Sequence, residues 1–239
     1  MYIRIVTFFL FLFDYINKRK ILNFFRKNLK KEIDTFIDVG AHHAETIKLF
    51  NNNFVVKKFF CFEASPINFQ ILKKNINNIK NPSIEIFNYG IGDKDGFFEF
   101  NQSQESSSST LVEINTSSKY LMKKSKILNF FKTKNIPFKK IKVEIKTLKD
   151  FIKNKSIKKI DILKIDTEGY DFNVIKSLGD EINNVEYIYF EHHFHDMLVK
   201  DYHLSDVHSY LRNFNFIKVF KIKMYFRKTF EYIYHNKTL

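Results

Sequence analysis

Apolar and polar residues run along this chain in short blocks whose spacing switches between two and three to four. Blocks with strand character cover residues 35–39, 58–63, 83–88, 96–100, 142–146, 160–165 and 185–190. Two of them, 160–165 and 185–190, are almost continuously apolar, as strands covered on both faces are. Helical spacing fills the gaps: 45–52, then 66–79 with Pro66 in a first turn where its missing N–H costs nothing. A short helix to Lys153 follows, then one opened by Gly169 and Asp171 and running to Leu178, and one to Asn213 capped by Ser205 or Asp206. Residues 214–220 and 223–226 read as a closing antiparallel pair, with a last strand near 232–234. Strands and helices alternating in this way predict an α/β fold. Its central sheet is mostly parallel, with helices on both faces and a C-terminal antiparallel strand.

Three stretches stand outside the alternation. Residues 102–110, with Ser106 to Ser109 in a row, read as a loop. Residues 111–137 read as a lysine-rich helical insertion, and 2–31 as one or two helices. The expected division is an N-terminal helical segment, 1–32, followed by one domain, 33–239. Ile5–Phe13 is nearly all apolar and is followed by Lys18, Arg19 and Lys20. It is too short to span a bilayer, which takes about 20 apolar residues. Its order is wrong for a signal peptide, and no small-residue cleavage site follows. Two readings remain: a helix packed on the domain, or an interfacial anchor that associates peripherally with an anionic membrane.

Composition narrows the class. At 44% apolar and 28% charged, the chain has the balance of a globular domain. A single cysteine, Cys61, excludes an intrachain disulfide and a thiol-rich metal site. It fits a reducing compartment, so the expected location is cytoplasmic, including the inner face of a membrane. The formal charge is +14, yet only five of the 40 basic residues are arginine. Lys, Asn, Ile and Phe all have A/T-rich codons, so base composition accounts for much of the charge; attraction to an anionic partner is the other reading. Nucleic acid is not the expected partner, because such binders favour arginine for bidentate phosphate contacts and the basic residues here are spread along the chain.

Candidate chemistry gathers at the carboxyl ends of the expected strands, where doubly wound sheets bind ligands. The first strand runs into Asp38-Val39-Gly40-Ala41-His42-His43-Ala44. Gly40 permits close approach of a ligand to the backbone, and Asp38 suits a positively charged amino group or simply caps the turn. Glu63 closes the second strand, where an acid accepts ribose hydroxyls or caps the helix at Pro66. Gly92-Asp93 follows the third, and its carboxylate suits an adenine amino group or a plain turn. Lys164, Asp166 and Glu168 cluster after the most apolar strand. Charge at the mouth of a buried strand is costly unless paired. Glu191-His192-His193-Phe194-His195 follows the next strand, and histidine serves as a base near neutral pH or as a metal ligand.

In order, DVGAHHAET, CFEASP, GIGDKDG, SSSSTL, KTLKDF and DILKIDTEGYDFNVIKSL resemble the FkbM family of S-adenosylmethionine-dependent methyltransferases, over about Thr35 to Glu191. The resemblance implies a Rossmann-like class I methyltransferase domain and methyl transfer, usually to a hydroxyl. It places Asp38, Gly40, Ala41 and His42 beside the methionine part of the cofactor, Glu63 and Ala64 at the ribose, and Gly92 and Asp93 at the adenine. It implies that Lys164, Asp166 and Glu168 line the reaction centre. His42, Ala44, Ala64 and Lys149 depart from the family's commoner Asn, Gly, Pro and acidic residue.

A neutral sugar hydroxyl needs a base or a cation to react. The base expected here is His192 or His193, oriented by Asp166 or Glu168, with Lys164 stabilising the developing alkoxide. No metal is assigned; Mg²⁺ on Asp166, Glu168 and a histidine is the rival mechanism. The expected acceptor is a glycan or a related small molecule. The alternative is a non-catalytic glycan- or membrane-associated module that retains the nucleotide-binding fold. A dehydrogenase is disfavoured because Gly40-Ala41-His42-His43-Ala44 lacks G-x-G-x-x-G.

Overall fold

The computed structural model describes residues 2–29, 32–81, 83–103, 106–130, 138–225 and 227–239, with side chains except those of 2–13, 106 and 126–130. Helix α1 (Tyr2–Asn28) leads into β1 (Glu32–Val39), α2 (Glu45–Asn51), β2 (Val55–Phe62), α3 (Pro66–Ile76) and β3 (Ile84–Phe87). The middle of the chain holds β4 (Gly90–Ile91), β5 (Gly96–Ser103), β6 (Glu113–Ile114), α4 (Lys119–Phe130), β7 (Phe138–Lys146) and α5 (Leu148–Asn154). The last third holds β8 (Ile160–Ile165), α6 (Asp171–Lys176), β9 (Val185–His193), β10 (Leu198–Val199), α7 (Leu204–Asn213), β11 (Phe216–Lys223) and β12 (Thr229–Asn236).

Seven strands form the central sheet in the order β11-β12-β9-β8-β1-β2-β3. β3, β2, β1, β8 and β9 are parallel, while β12 lies antiparallel between β9 and β11. Strand alternation divides the core between two faces. Ile37, Phe60, Leu163 and Ile188 face α5, α6 and α7. Phe36, Phe59, Ile162 and Tyr187 face α1, α2 and α3. β8 is buried at every position, as its apolar run requires. Ser65 caps α3 by accepting from Asn68 N at 3.1 Å, with Pro66 at the first helical position.

The second half of α1 is core. Ile21, Leu22 and Phe25 are buried, and the Phe25 ring meets Tyr187 edge-on with centroids 5.7 Å apart. Asn17 donates to the Lys223 carbonyl at 3.2 Å, tying the helix to the β11 end. The packed-helix reading therefore fits residues 17–25; the interfacial reading rests on Ile5–Phe13, whose side chains lie outside the described ones. Among the described residues, no helix is long and apolar enough to cross a membrane.

The pattern misleads in a few places. The strands expected near 96–100 and 142–146 form, with β4, a separate sheet of order β4-β7-β5. Charged residues alternate along both, as in the Lys140–Glu99 pair, so they bury one face only and cannot serve in a sheet covered on two. Residues 224–225 are not a strand: Lys223 ends β11, Arg227 N bonds the Met224 carbonyl across the turn, and Phe226 lies outside the described residues. The closing pair is β11 with β12. Gln102 and Ser103 finish β5 rather than opening the loop. Residues 131–137 of the insertion lie outside the described residues.

Candidate active site

The turn after β1 is fixed by sterics. Gly40 has φ +84°, and a Cβ there would lie 1.9 Å from the Asp166 carbonyl oxygen. Only glycine lets the two strand ends meet so closely. Asp166 N in turn bonds the Val39 carbonyl at 2.9 Å. The turn continues through positive φ at His42 (45°) and Ala44 (74°), the position where the family more often has Gly. Glu63 holds it from the next strand, accepting from His42 N at 2.9 Å and Ser65 N at 2.8 Å. Burial pushes the Glu63 carboxyl up, partly offset by those two amides.

A cavity of about 630 Å³ opens above these strand ends, within the range of small-molecule sites. Gly40, Ala41, His42, Glu63 and Ala64 line one part of it. Lys164, Asp166, Glu168 and His193 line another. Asp38, Gly92, Asp93 and His192 do not line it. Asp38 is fully buried beneath Lys164, with Oδ1 4.0 Å from Nζ and neither oxygen hydrogen-bonded among the described residues. Burial, only partly offset by Lys164, drives its pKa up to about 7. Asp93 is turned toward Lys176 (3.6 Å) and the Tyr170 hydroxyl (3.5 Å). Gly92 lies under that same tyrosine, where a Cβ would be 3.0 Å from Cε1.

Strand parity separates the two histidines. On β9, Tyr189, Glu191 and His193 face the cavity, while His192 lies outside it. The His192 Nε2 is 3.3 Å from Lys200 Nζ, and its ring packs on Phe194 and Tyr202. The His193 Nδ1 is met by His195 Nε2 at 3.2 Å and Thr229 Oγ1 at 3.3 Å. Its buried Nε2 has no hydrogen-bond partner among the described residues and lies 3.7 Å from Glu168 Oε2 and 3.8 Å from Glu191 Oε1. Burial, with His195 alongside, pulls the His193 pKa well below its ordinary value, so the ring is neutral.

Lys164 is an internal counter-ion. It bonds Asp166 at 2.9 Å, and burial against it is outweighed by Asp166 and Asp38, which hold its proton more tightly than in a free lysine. Asp166 is held below the usual carboxylate range, Lys164 overcoming the cost of burial. Glu168 is different: burial and the Asp166 charge push it up to about 8. Its backbone has φ +50°, a conformation uncommon for glutamate, and Thr110 Oγ1 donates to its carbonyl at 2.7 Å. Burial also raises Glu191, and pushes Glu231 up to about 7 despite the Tyr189 hydroxyl at 2.7 Å.

The insertion closes one side. Asp196 accepts from Ser118 Oγ at 2.6 Å and Lys119 N at 3.2 Å, anchoring the start of α4. Tyr120 then stacks on His195, centroids 4.1 Å apart. Glu231, Thr229, Tyr120 and Arg227 are cavity or support residues that the motifs did not single out, while His195 belongs to the histidine cluster that they did. Only the periodicity of the last strand could have pointed to Glu231 and Thr229, because both depend on β12 inserting beside β9. The described residues also hold a cluster of His42, His43 and Glu45 whose candidate ligand atoms lie within 4.8 Å of one another. His42 Nδ1 is 3.2 Å from Glu45 Oε1, and the two imidazoles stack.

A family model described as the methyltransferase FkbM domain matches residues 38–218, from the Asp38 turn into β11. The chain belongs to the FkbM methyltransferase family. The methyltransferase FkbM from Methylobacillus flagellatus KT superposes with a TM-score of 0.57 at 13% identity, over 87% of this chain and 46% of that one. This chain thus spans about half the length of that FkbM protein. Sp1610 from Streptococcus pneumoniae, in complex with S-adenosyl-L-methionine, superposes with a TM-score of 0.50 at 9% identity, over 91% of this chain and 72% of that one. At such identities the likeness is one of fold. No curated protein matches the sequence. Membership of the FkbM family implies S-adenosylmethionine as cofactor. The residues present fit it: the Gly40 cradle that a Cβ would fill and the buried Glu63 acid stand at one end of the cavity, at the carboxyl ends of β1 and β2.

Proposed function

We propose that the protein transfers a methyl group from S-adenosylmethionine to a hydroxyl oxygen of a glycan or related small molecule. One observation carries the reading: the Nε2 of a buried, neutral His193, without a hydrogen-bond partner among the described residues, faces the same cavity as the Gly40–Glu63 turn. Gly40, Ala41, His42, Glu63 and Ala64 would hold the cofactor, with Asp38 reaching it only through the strand end it supports. That cofactor supplies a methyl group already activated on sulfur, so the chain's part is proximity and proton management.

With Nδ1–H donating to His195, the His193 Nε2 lone pair points into the cavity and takes the hydroxyl proton as the oxygen forms its bond to carbon. The oriented base follows the usual logic of an activated nucleophile, with His195 and Thr229 as orienting groups. Glu168, still protonated at neutral pH, donates to the incoming hydroxyl and sets its direction. Lys164 holds Asp166 in place rather than meeting the alkoxide. The proposed setting is cytoplasmic, with basic residues near the end of α1 available to an anionic membrane face.

The test is transfer of labelled methyl from S-adenosylmethionine to hydroxylated acceptors by wild type and His193→Gln. Label in an ether linkage, lost in the variant, is the expected result. Label on nitrogen or carbon would overturn the oxygen acceptor. Bound cofactor with no transfer to any acceptor would favour the non-catalytic module.

A further inference from the structure

One wall of the cavity is built by three elements that are distant in sequence. α1 supplies Asp14 and Lys18, α4 supplies Lys123 and Lys124, and the turn between β11 and β12 supplies Arg227. Four of these five residues are cations. Lys18 and Lys123 are exposed and make no ion pair among the described residues. Arg227 is one of only five arginines in a chain that otherwise uses lysine. Among the described residues its side chain makes one hydrogen bond, from Nη2 to Asp14 at 3.3 Å, which leaves most of its planar fork for another acceptor.

Apart from Asp14, which pairs with Arg227, the acids of the cavity come from other elements. Glu168, Glu191 and Glu231 lie on the sheet side, with Glu191 and Glu231 directly opposite each other across β9 and β12. The chamber is therefore polarised: carboxyl groups on the floor, cations on the outer wall. Neutral carboxyl groups donate to and accept from hydroxyls, whereas a guanidinium fork with flanking ammonium groups suits phosphate or carboxylate.

From this polarity we infer that the methyl acceptor is an anionic sugar, a hydroxylated ring carrying a phosphate or a carboxylate. The acceptor hydroxyl faces Glu168 and His193, and the anionic group faces Arg227, Lys18 and Lys123. This inference rests on the methyltransferase reading and gives its acceptor a charge.

Calorimetry separates the two. The protein is first saturated with S-adenosylhomocysteine; no heat at that stage sinks the methyltransferase reading itself. Glucose 6-phosphate, glucuronate, glucose and inorganic phosphate are then titrated into the saturated protein. The expected result is that at least one anionic sugar binds tenfold or more tightly than glucose, and that its affinity falls as salt is raised. A preference for glucose 6-phosphate assigns the anion as phosphate, and a preference for glucuronate assigns it as carboxylate. Inorganic phosphate should bind more weakly than the phosphorylated sugar. Arg227→Gln should remove the preference, and Lys18→Gln with Lys123→Gln, both on exposed helix positions, should weaken it without touching the fold. Arg227→Lys should recover only part of it. Equal binding of glucose and its anionic relatives, or a preference that survives all three substitutions, would overturn the inference.

Discussion

Glu191 and Glu231 face each other across β9 and β12, and both line the cavity beside a neutral His193. Two acids, with Glu168 nearby, share a space that cannot hold three negative charges cheaply. Burial first, and the Asp166 charge after it, raise Glu168 to about 8 and Glu231 to about 7. Stability should therefore depend on pH in a defined sense. Between about pH 4.5 and each folded-state value the unfolded chain loses protons that the folded chain keeps, so stability falls as pH rises. His192 and His195, lowered to about 3 and about 4, act oppositely: below pH 6.5 the unfolded chain takes up protons that the folded chain refuses. Thermal unfolding should show a maximum at about pH 5.5, where the two effects balance, declining toward pH 8. Glu231→Gln should flatten the alkaline side; an unchanged slope would remove Glu231 from the cause.

Base assignment gives a cleaner contrast. His193→Gln should lower kcat by about 10²-fold or more, the usual worth of a positioned base, while S-adenosylhomocysteine affinity stays the same. His192→Gln should leave kcat within a few-fold, since that ring packs outside the cavity. Equal losses in the two variants would show that strand parity does not decide the base.

The pH profile follows from the same groups. Because His193 is pulled well below its ordinary value, kcat/KM should stay high at pH values under 6.5, where a free imidazole would be protonated. If the protonated Glu168 directs the hydroxyl, activity should fall on passing about pH 8. In Glu168→Gln that alkaline limb should disappear even if the plateau is lower.

The cofactor end is tested by Glu63→Gln. The substitution removes a buried charge that accepts from two backbone amides and should weaken S-adenosylmethionine by about 10-fold or more, as hydrogen bonds to charged groups are worth ~1.5–3 kcal/mol. Calorimetry reads this directly. Affinity within twofold of wild type would move the ribose subsite elsewhere.

Gly40→Ala probes the meeting of β1 and β8. A Cβ 1.9 Å from the Asp166 carbonyl cannot be accommodated without moving one strand end, and φ +84° adds strain of order 1–3 kcal/mol. The variant should unfold at lower denaturant and lose cofactor affinity together. Retention of both would mean that the turn relaxes freely.

Much of the fold was legible because the sheet's interior strands are mostly apolar. Residues 160–165 and 185–190 can only be buried on two faces, and both are core strands. The lysine-spaced run at 142–146 reads equally well as a strand, but nothing local says which sheet it joins; only its inability to bury two faces sends it to the β4-β7-β5 layer. The place of Gly40 and Glu63 at the cavity was legible because turn chemistry is local. Asp93 was not: its carboxylate is decided by Lys176 and Tyr170, some eighty residues away. His192 and His193 are neighbours in sequence and only the strand's facing separates them. Thr229 and Glu231 enter through β12, whose insertion beside β9 no local pattern announces.

Helix α1 contributes Asp14 and Lys18 to the chamber and, two turns on, Ile21, Leu22 and Phe25 to the core. The boundary that the pattern suggests at residue 32 is thus no seam. A protein cut there would lose a wall of its reaction vessel and the keel of its sheet in one stroke, with Phe36, Phe50 and Tyr187 laid open to water. Helix α1 thus links the cavity wall that carries Lys18 to the packing of the sheet.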